Sequence, residues 1–485
     1  MSPRPSTWPV RRWAALATLC LIQLMVVVDV TVVSIALPQA QGSLAFTLGD
    51  RQWVLTAYAL AFGSLLLLGG RLSDVWGRRP SLIAGLVGFA LASALGGDAH
   101  SFSTLVTARA LQGVFAALLA PAALASLSDT FTDSGERARA FTAFGAVTGS
   151  GAAVGLILGG ALTQWATWRW CLEFNLVVAA LAIVGVVAWV DPTRAPRRAN
   201  LDALGTLLSA GGLFLVVYGF SAAVNNGWGD ESTWGSLVGG IALLVAFVAW
   251  QRRAPSPLLP LRLLLARTRG GSQVALFATS LAVFSLTLFL AYYLENTLGY
   301  SPLRTGVYFL PLVGALAVSA SVASARLLAM VGPRPLVPVG MLLGMLGMAL
   351  FSKLTPGPDY VGSVLPGLIL TGLGLGLIIA PATASATSGV DRRDAGAASA
   401  LVNTAQQVGA SIGTALLNTI AVTVTARYVR TAGPSASALT AGTIPGYRVA
   451  FWWAAGIFGA GAVASAVLLE SGATRDAVEA EPAGA

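Results

Sequence analysis

The sequence predicts an all-α polytopic membrane protein with fourteen transmembrane helices, and three observations predict it. Of 485 residues, 56% are hydrophobic and only 10% charged, less than half the ~25% charged share of soluble domains. The mean hydropathy is +0.76, whereas a disordered chain needs low hydrophobicity and high net charge. Apolar runs near the ~20 residues that a helix needs to cross a bilayer core recur along the whole chain.

Those runs lie at about 13–38, 52–70, 81–97, 104–127, 140–162, 170–190, 203–222, 234–250, 271–294, 303–325, 335–352, 362–386, 397–423 and 449–469. The remaining loops and tails are too short for a soluble catalytic domain. The first run is too long for a cleaved signal peptide, and is read as a retained span. Cys20 and Cys171 fall in or beside spans without metal-ligand spacing, so they are expected as buried free thiols.

A formal charge of +9 would suit a nucleic-acid partner only if the cations formed a patch. Placed on the spans with the N-terminus inside, about three quarters of the Lys and Arg residues fall in cytoplasmic segments, as the positive-inside rule requires. Arg109 is left inside a span. The charge therefore predicts a cell-membrane protein with both termini cytoplasmic, surrounded by the lipid bilayer, and no nucleic acid.

The spans group as six, two and six. Residues 1–195 hold the first six, 196–262 hold two between polar and basic links, and 263–470 hold the last six; 471–485 is a short acidic tail expected to be disordered. Trp13, Trp53, Trp165, Trp168, Trp170, Trp228, Trp234 and Trp250 cluster at span ends, where interfacial anchors belong. Two six-span halves suggest a transporter working about a midplane site, although other large helical membrane proteins can show the same count.

Between the second and third spans the chain reads G-R-L-S-D-V-W-G-R-R, Gly70 to Arg79. Asp74 can pair with Arg71 or Arg78, or face the N-terminus of a neighbouring helix. Gly70 and Gly77 permit a tight turn and close approach. Arginines alone, Arg79 included, would make an ordinary topogenic loop; the glycines and the carboxylate give the cluster the means to lock one conformation.

This stretch resembles the signature loop of the major facilitator superfamily. Other segments are similar to its fourteen-helix drug:proton antiporter branch: V-D-V-T-V-V-S-I-A-L-P (Val28 to Pro38), W-V-L-T-A-Y-A-L (Trp53 to Leu60), R-A-L-Q-G (Arg109 to Gly113), G-Y-S-P-L-R-T-G (Gly299 to Gly306) and N-T-A-Q-Q-V-G (Asn403 to Gly409). The resemblance implies two six-helix bundles around a central cavity, with two extra helices between them. It also implies export of a hydrophobic or cationic drug-like small molecule in exchange for protons by a monomer. An importer or metabolite permease of the same fold, or a non-transporting sensor or scaffold, stands as the alternative.

The fifth span departs from that family, which there carries Gly-Pro before its glycine pair; this chain has G-L-I-L-G-G, with Leu156 in the proline's place. The expected kink is therefore in question. Gly151, Gly155 and Gly159 still recur every four residues, with Gly160 beside them, and so present a face for close helix packing.

Two side chains are costly where they stand, and two further carboxylates are placed unusually. Asp29 sits mid-span, where a charge costs roughly 2.5–3.5 kcal/mol on insertion scales. Burial favours its neutral form and a nearby cation its charged form; the alternative is an Asp bonded structurally to another span. Arg109 needs a partner and shares a face with Gly113, Ala116 and Ala120. The family resemblance gives Asp29 and Arg109 roles in proton coupling. Gln112, one turn along, is placed to fix the guanidinium, and joins Glu173 and Glu295 as a candidate substrate contact. Glu173, in W-R-W-C-L-E-F-N, stands where the family generally carries an aromatic or apolar residue, and Glu295, in Y-Y-L-E-N, where it carries Gln; either can recognise a cationic substrate, carry a second proton, or equally be a solvated interfacial group.

Other chemistries lack their residues. The single lysine, Lys353, lies in F-S-K-L, so no phosphate-cradling G-x-x-x-x-G-K exists and ATP is not expected. One histidine, His100, leaves no zinc cluster and no Ser-His-Asp triad. The glycines of T-G-L-G-L-G-L (Thr371 to Leu377) sit in an apolar span and suit packing. No enzyme activity, metal or cofactor is expected.

Overall fold

The computed structural model describes residues 9–131, 133–192, 202–255, 257–258, 266–323, 327–357, 359–387, 395–432 and 436–469. All regular structure among them is helical: α1 (Pro9–Leu44), α2 (Gln52–Trp76), α3 (Arg78–Gly97), α4 (Phe102–Thr130), α5 (Ser134–Trp165), α6 (Trp170–Trp189), α7 (Ala203–Asn226), α8 (Glu231–Gln251) and α9 (Arg267–Tyr292). A π-helical turn (Tyr293–Thr297) follows, then α10 (Pro302–Tyr308), α11 (Leu310–Val322), α12 (Leu328–Val331), α13 (Pro333–Phe351), α14 (Tyr360–Ser363), α15 (Leu365–Thr387), α16 (Ala395–Ala432) and α17 (Ala436–Leu468). Thirteen helical segments are long and apolar enough to cross a membrane, or fourteen when the two pieces of α2, bent by 56° between Leu66 and Leu68, count as one. The protein is an all-α, multi-pass membrane protein.

The helices overrun the apolar runs that predicted them. α1 continues to Leu44 instead of about 38, and α17 starts at Ala436 instead of near 449. Hydropathy marks the part immersed in hydrocarbon, while the i→i−4 hydrogen bonds continue through polar sequence beyond it. The tenth run is interrupted at Phe309, where Pro311 in the first turn of α11 lacks the amide needed to continue the ladder from α10. The acidic tail and the link residues 193–201 and 259–265 lie outside the described residues.

Local chemistry fixes several ends. Gly77 joins α2 to α3 at φ +92°, a conformation that suits glycine. The Ser101 hydroxyl caps α4 by accepting from the Thr104 amide at 3.2 Å. Asp230 caps α8, accepting from the Ser232 amide at 2.8 Å and from the Ser232 hydroxyl, and these bonds hold its carboxyl below the usual range. Trp13, Trp165, Trp170 and Trp234 are exposed near helix ends. Cys20 and Cys171 are free.

Two compact units result. One comprises Met1–Phe46, Trp53–Ala210 and Ser301–Val307; the other comprises Thr47–Gln52, Gly211–Tyr300 and Tyr308–Ala485. In the first, α1 packs on α5 and α6, and α3 on α4 and α6. The α1–α5 crossing is made by the predicted glycine face. A Cβ at Gly151 would lie 2.8 Å from Val27 Cγ1, one at Gly155 would collide with Thr31 Oγ1, and one at Gly159 would lie 2.9 Å from Val32 Cα. Gly160 instead receives α10, whose Leu303 Cα would be 2.6 Å from an added Cβ. α5 runs unbroken past Leu156, and the Leu156 carbonyl fills the space that a Gly306 side chain would need. In the second unit α13 packs on α15 and α17, and α9 on α16 and α17.

Candidate functional site

Five helices of the first unit bring their polar residues to one point inside an otherwise apolar bundle. α1 supplies Asp29, α3 Ser93, α4 Arg109 and Gln112, α6 Asn175, and α2 a carbonyl and a ring. Arg109 Nη1 donates to Asp29 Oδ2 at 2.6 Å and to Gln112 Oε1 at 2.7 Å, and Arg109 Nε donates to the Val54 carbonyl at 3.1 Å. The other Asp29 oxygen accepts from Gln112 Nε2 at 2.9 Å and Asn175 Nδ2 at 2.7 Å. Gln112 Nε2 also reaches Ser93 Oγ at 2.7 Å. The Tyr58 ring lies under the guanidinium, 4.5 Å from Cζ to the ring centroid.

Asp29, Ser93, Arg109, Gln112 and Asn175 all have zero exposed surface. Taking two charges from water costs several kcal/mol per ion, recovered only when geometry and supplementary hydrogen bonds are good. Here both conditions hold, since the carboxylate collects three N–H donors. Gly113 makes the arrangement possible: a Cβ there would collide with the Tyr58 carbonyl, so its absence lets α4 lie against the backbone of α2. Asn175 Oδ1 and the Tyr58 hydroxyl are buried here without a hydrogen-bond partner, exceptions to the rule that buried polar groups are paired.

The charged loop forms a second cluster in the same unit. Arg78 pairs with Asp74 at 2.5 Å and with Asp129 of α4 at 3.4 Å, and donates to Ser73 Oγ at 3.2 Å. Arg79 donates to the Val187 carbonyl of α6 at 2.7 Å. Arg71 lies in the last turns of α2, half-buried. Gly77 makes the turn, but Gly70 lies within the helix with ordinary room toward Pro121 at 3.6 Å; the close approach falls at Gly69, where a Cβ would collide with the Ala117 carbonyl. The reason is helical phase: position 69 faces the α4 backbone, and position 70 only the ring of Pro121 on that helix.

Of the three predicted substrate contacts, one joins the buried pair and two do not hydrogen-bond to it. Gln112 is committed wholly to the network. Glu173, in the first turn of α6, lies half-buried across Gly97. Glu295 belongs to the second unit, on the π-helical turn, with one carboxylate oxygen buried and unpartnered.

Ser93, Asn175, Tyr58, Asp129 and Arg51 are functional candidates that only the structure singles out. Asn175 had a signal, a polar amide within the apolar run that follows Glu173. Ser93 and Tyr58 had none, because a small hydroxyl or a tyrosine in a span is common.

The fold and the buried charges define a class. The Major Facilitator Superfamily pattern matches residues 19–414, and the chain belongs to that superfamily. Among its relatives, the puromycin resistance protein pur8 of Streptomyces alboniger is 49% identical, over 95% of this chain and 92% of that protein. The cephamycin export protein CmcT of Amycolatopsis lactamdurans is 37% identical over 84% of each chain. The multidrug efflux pump LfrA of Mycolicibacterium smegmatis is 32% identical over 86% of this chain and 82% of that one. Among solved structures, a bacterial homologue of the human lysosomal transporter Spinster matches in fold with a TM-score of 0.66 at 18% identity, covering 95% of this chain and 97% of that one.

Proposed function

We propose that the protein exports an antibiotic-like small molecule, hydrophobic or cationic, across the plasma membrane in exchange for protons. One observation carries the reading: a carboxylate and a guanidinium paired at 2.6 Å, both fully buried, inside the bundle of a protein whose relatives are named for resistance and export. Both termini lie in the cytoplasm on this reading, and the working unit is a monomer of two six-helix bundles, 1–195 and 263–470, with the pair 196–262 between them.

Asp29 and Arg109 couple proton to conformation through cost. Protonating Asp29 in this packing leaves Arg109 buried without a counter-charge, and breaking a buried pair costs about 3–5 kcal/mol. Proton uptake is therefore tied to a rearrangement of α1 against α4 that gives Arg109 new partners, and proton release restores the pair. The Asp74–Arg78–Asp129 cluster latches one of the two arrangements. The driving force needs no ATP: one charge is worth about 2.3 kcal/mol per 100 mV.

Asp29→Asn keeps the hydrogen-bonding shape and removes the charge. In inverted vesicles it is expected to insert normally and to lose gradient-driven transport of puromycin or ethidium. Substrate-dependent proton movement equal to wild type in that variant would remove Asp29 from the mechanism. Equal drug accumulation in cells with and without the chain, across a panel of toxic compounds, overturns export itself.

A further inference from the structure

The second unit holds a fully buried arginine that the coupling mechanism does not use. Arg51, in the segment Thr47–Gln52, inserts its guanidinium among three aromatic rings: Tyr292 at 4.4 Å from Cζ to the ring centroid, Tyr447 at 5.5 Å and Phe289 at 5.6 Å. All are within the ~6 Å range of cation–π attraction. Its polar partners are neutral, with Nε donating to Asn418 Oδ1 at 3.0 Å and Nη1 to the Tyr447 hydroxyl at 3.2 Å. Among the described residues no carboxylate is within salt-bridge distance. This is how a site recognises a cation by ring faces instead of by a fixed counter-ion.

We propose that the Phe289–Tyr292–Tyr447 cage is a binding site for organic cations carrying a guanidinium or alkylammonium group, and that Arg51 fills it as an internal ligand in this conformation. Three further features fit a replaceable occupant. The segment that carries Arg51 is held to α16 by Asn418 Nδ2 donating to the Leu48 and Gly49 carbonyls at 3.2 and 3.4 Å, so one amide holds both the guanidinium and its tether. Gln52, next to Arg51, is buried with neither side-chain polar atom hydrogen-bonded. An unsatisfied buried amide is costly and marks a conformation that another arrangement can relieve. Glu295, one turn beyond Tyr292, has a buried oxygen without a partner on a π-helical turn, a feature concentrated at functional sites. An entering amine would supply the missing donor.

The proposal rests on the export reading for its purpose and names the substrate class that the cage would select. Its test needs neither gradient nor transport. The full chain in lipid nanodiscs is titrated calorimetrically with ethylguanidinium, the truncated arginine side chain, and with the uncharged ethylurea. Arg51→Ala is expected to bind ethylguanidinium at least about tenfold more tightly than wild type does, to ignore ethylurea, and to lose the gain when Tyr292→Leu is added. Glu295→Gln in the Arg51→Ala background is expected to weaken binding severalfold. Ethylguanidinium binding no tighter than in wild type, or ethylurea binding just as tight, overturns the cage. Where Arg51→Ala does not purify folded, ethylguanidinium restoring it supports the proposal and failure to restore it counts against it. A negative result here leaves export standing, and a transport failure in Asp29→Asn leaves the cage standing.

Discussion

Arg109 and Arg51 are both fully buried, one in each compact unit, and they are housed in opposite ways. Arg109 faces a carboxylate at 2.6 Å, with Gln112, a backbone carbonyl and a single ring completing its surroundings. Arg51 faces three rings, an amide and a hydroxyl. The first is a compensated pair, in which neither charge can be removed alone without stranding the other. The second is a charge in a neutral cage, where removal leaves a vacancy but no stranded ion. On the proposed reading a transporter has use for both: the stranded charge would enforce coupling, and the emptied cage would accept cargo.

The contrast can be broken by measurement. Arg109→Ala is expected to have the largest effect, destabilising the first unit by about 3–5 kcal/mol because Asp29 is left buried without a counter-charge. Thermal unfolding in detergent reads the loss, and export should vanish with it. The double variant Asp29→Asn with Arg109→Gln recovers most of that stability and none of the transport. A double variant no more stable than Arg109→Ala would show that packing, and not charge, is what Arg109 supplies.

Gly159→Leu comes next. The new side chain meets the Val32 backbone of α1, and overpacking costs typically about 1–3 kcal/mol; Asp29 sits on the displaced helix, so export should fall more than stability does. Arg51→Ala should cost less in stability than Arg109→Ala, about 1–2 kcal/mol of cation–π and hydrogen-bond energy, seen in the same melts. A larger loss than at Arg109 would reverse the comparison. Arg78→Gln is the smallest: its two ion pairs are partly exposed, and such pairs contribute at most about 1 kcal/mol. Export should slow with little change in unfolding temperature, and the two effects separate latching from folding.

Much was legible in advance where physics acts locally. Fourteen apolar runs follow from the length needed to cross a bilayer, and the glycine period in α5 from the space a helix crossing leaves. Asp29 and Arg109 stood out because an ionisable group within a span is expensive. The turn at Gly77 was legible too, while Gly70 was misread for Gly69 because one residue of helical phase separates a tight crossing from an open one. Asp74 had several possible partners in the sequence; that Asp129, far along the chain, shares Arg78 was not visible.

The sequence by itself determined that this is a helical membrane protein, which residues carry charge into the bilayer, and to which superfamily it belongs. Those properties are sums over local composition and short motifs. Only the tertiary structure decided that Asp29 meets Arg109, Gln112 and Asn175 from two other helices, and that Arg51, one loop arginine among several, is enclosed by rings from two distant helices. Helix rotation and crossing set both outcomes, and a rotation of one residue turns a side chain by about 100°, from a neighbour's face to the lipid.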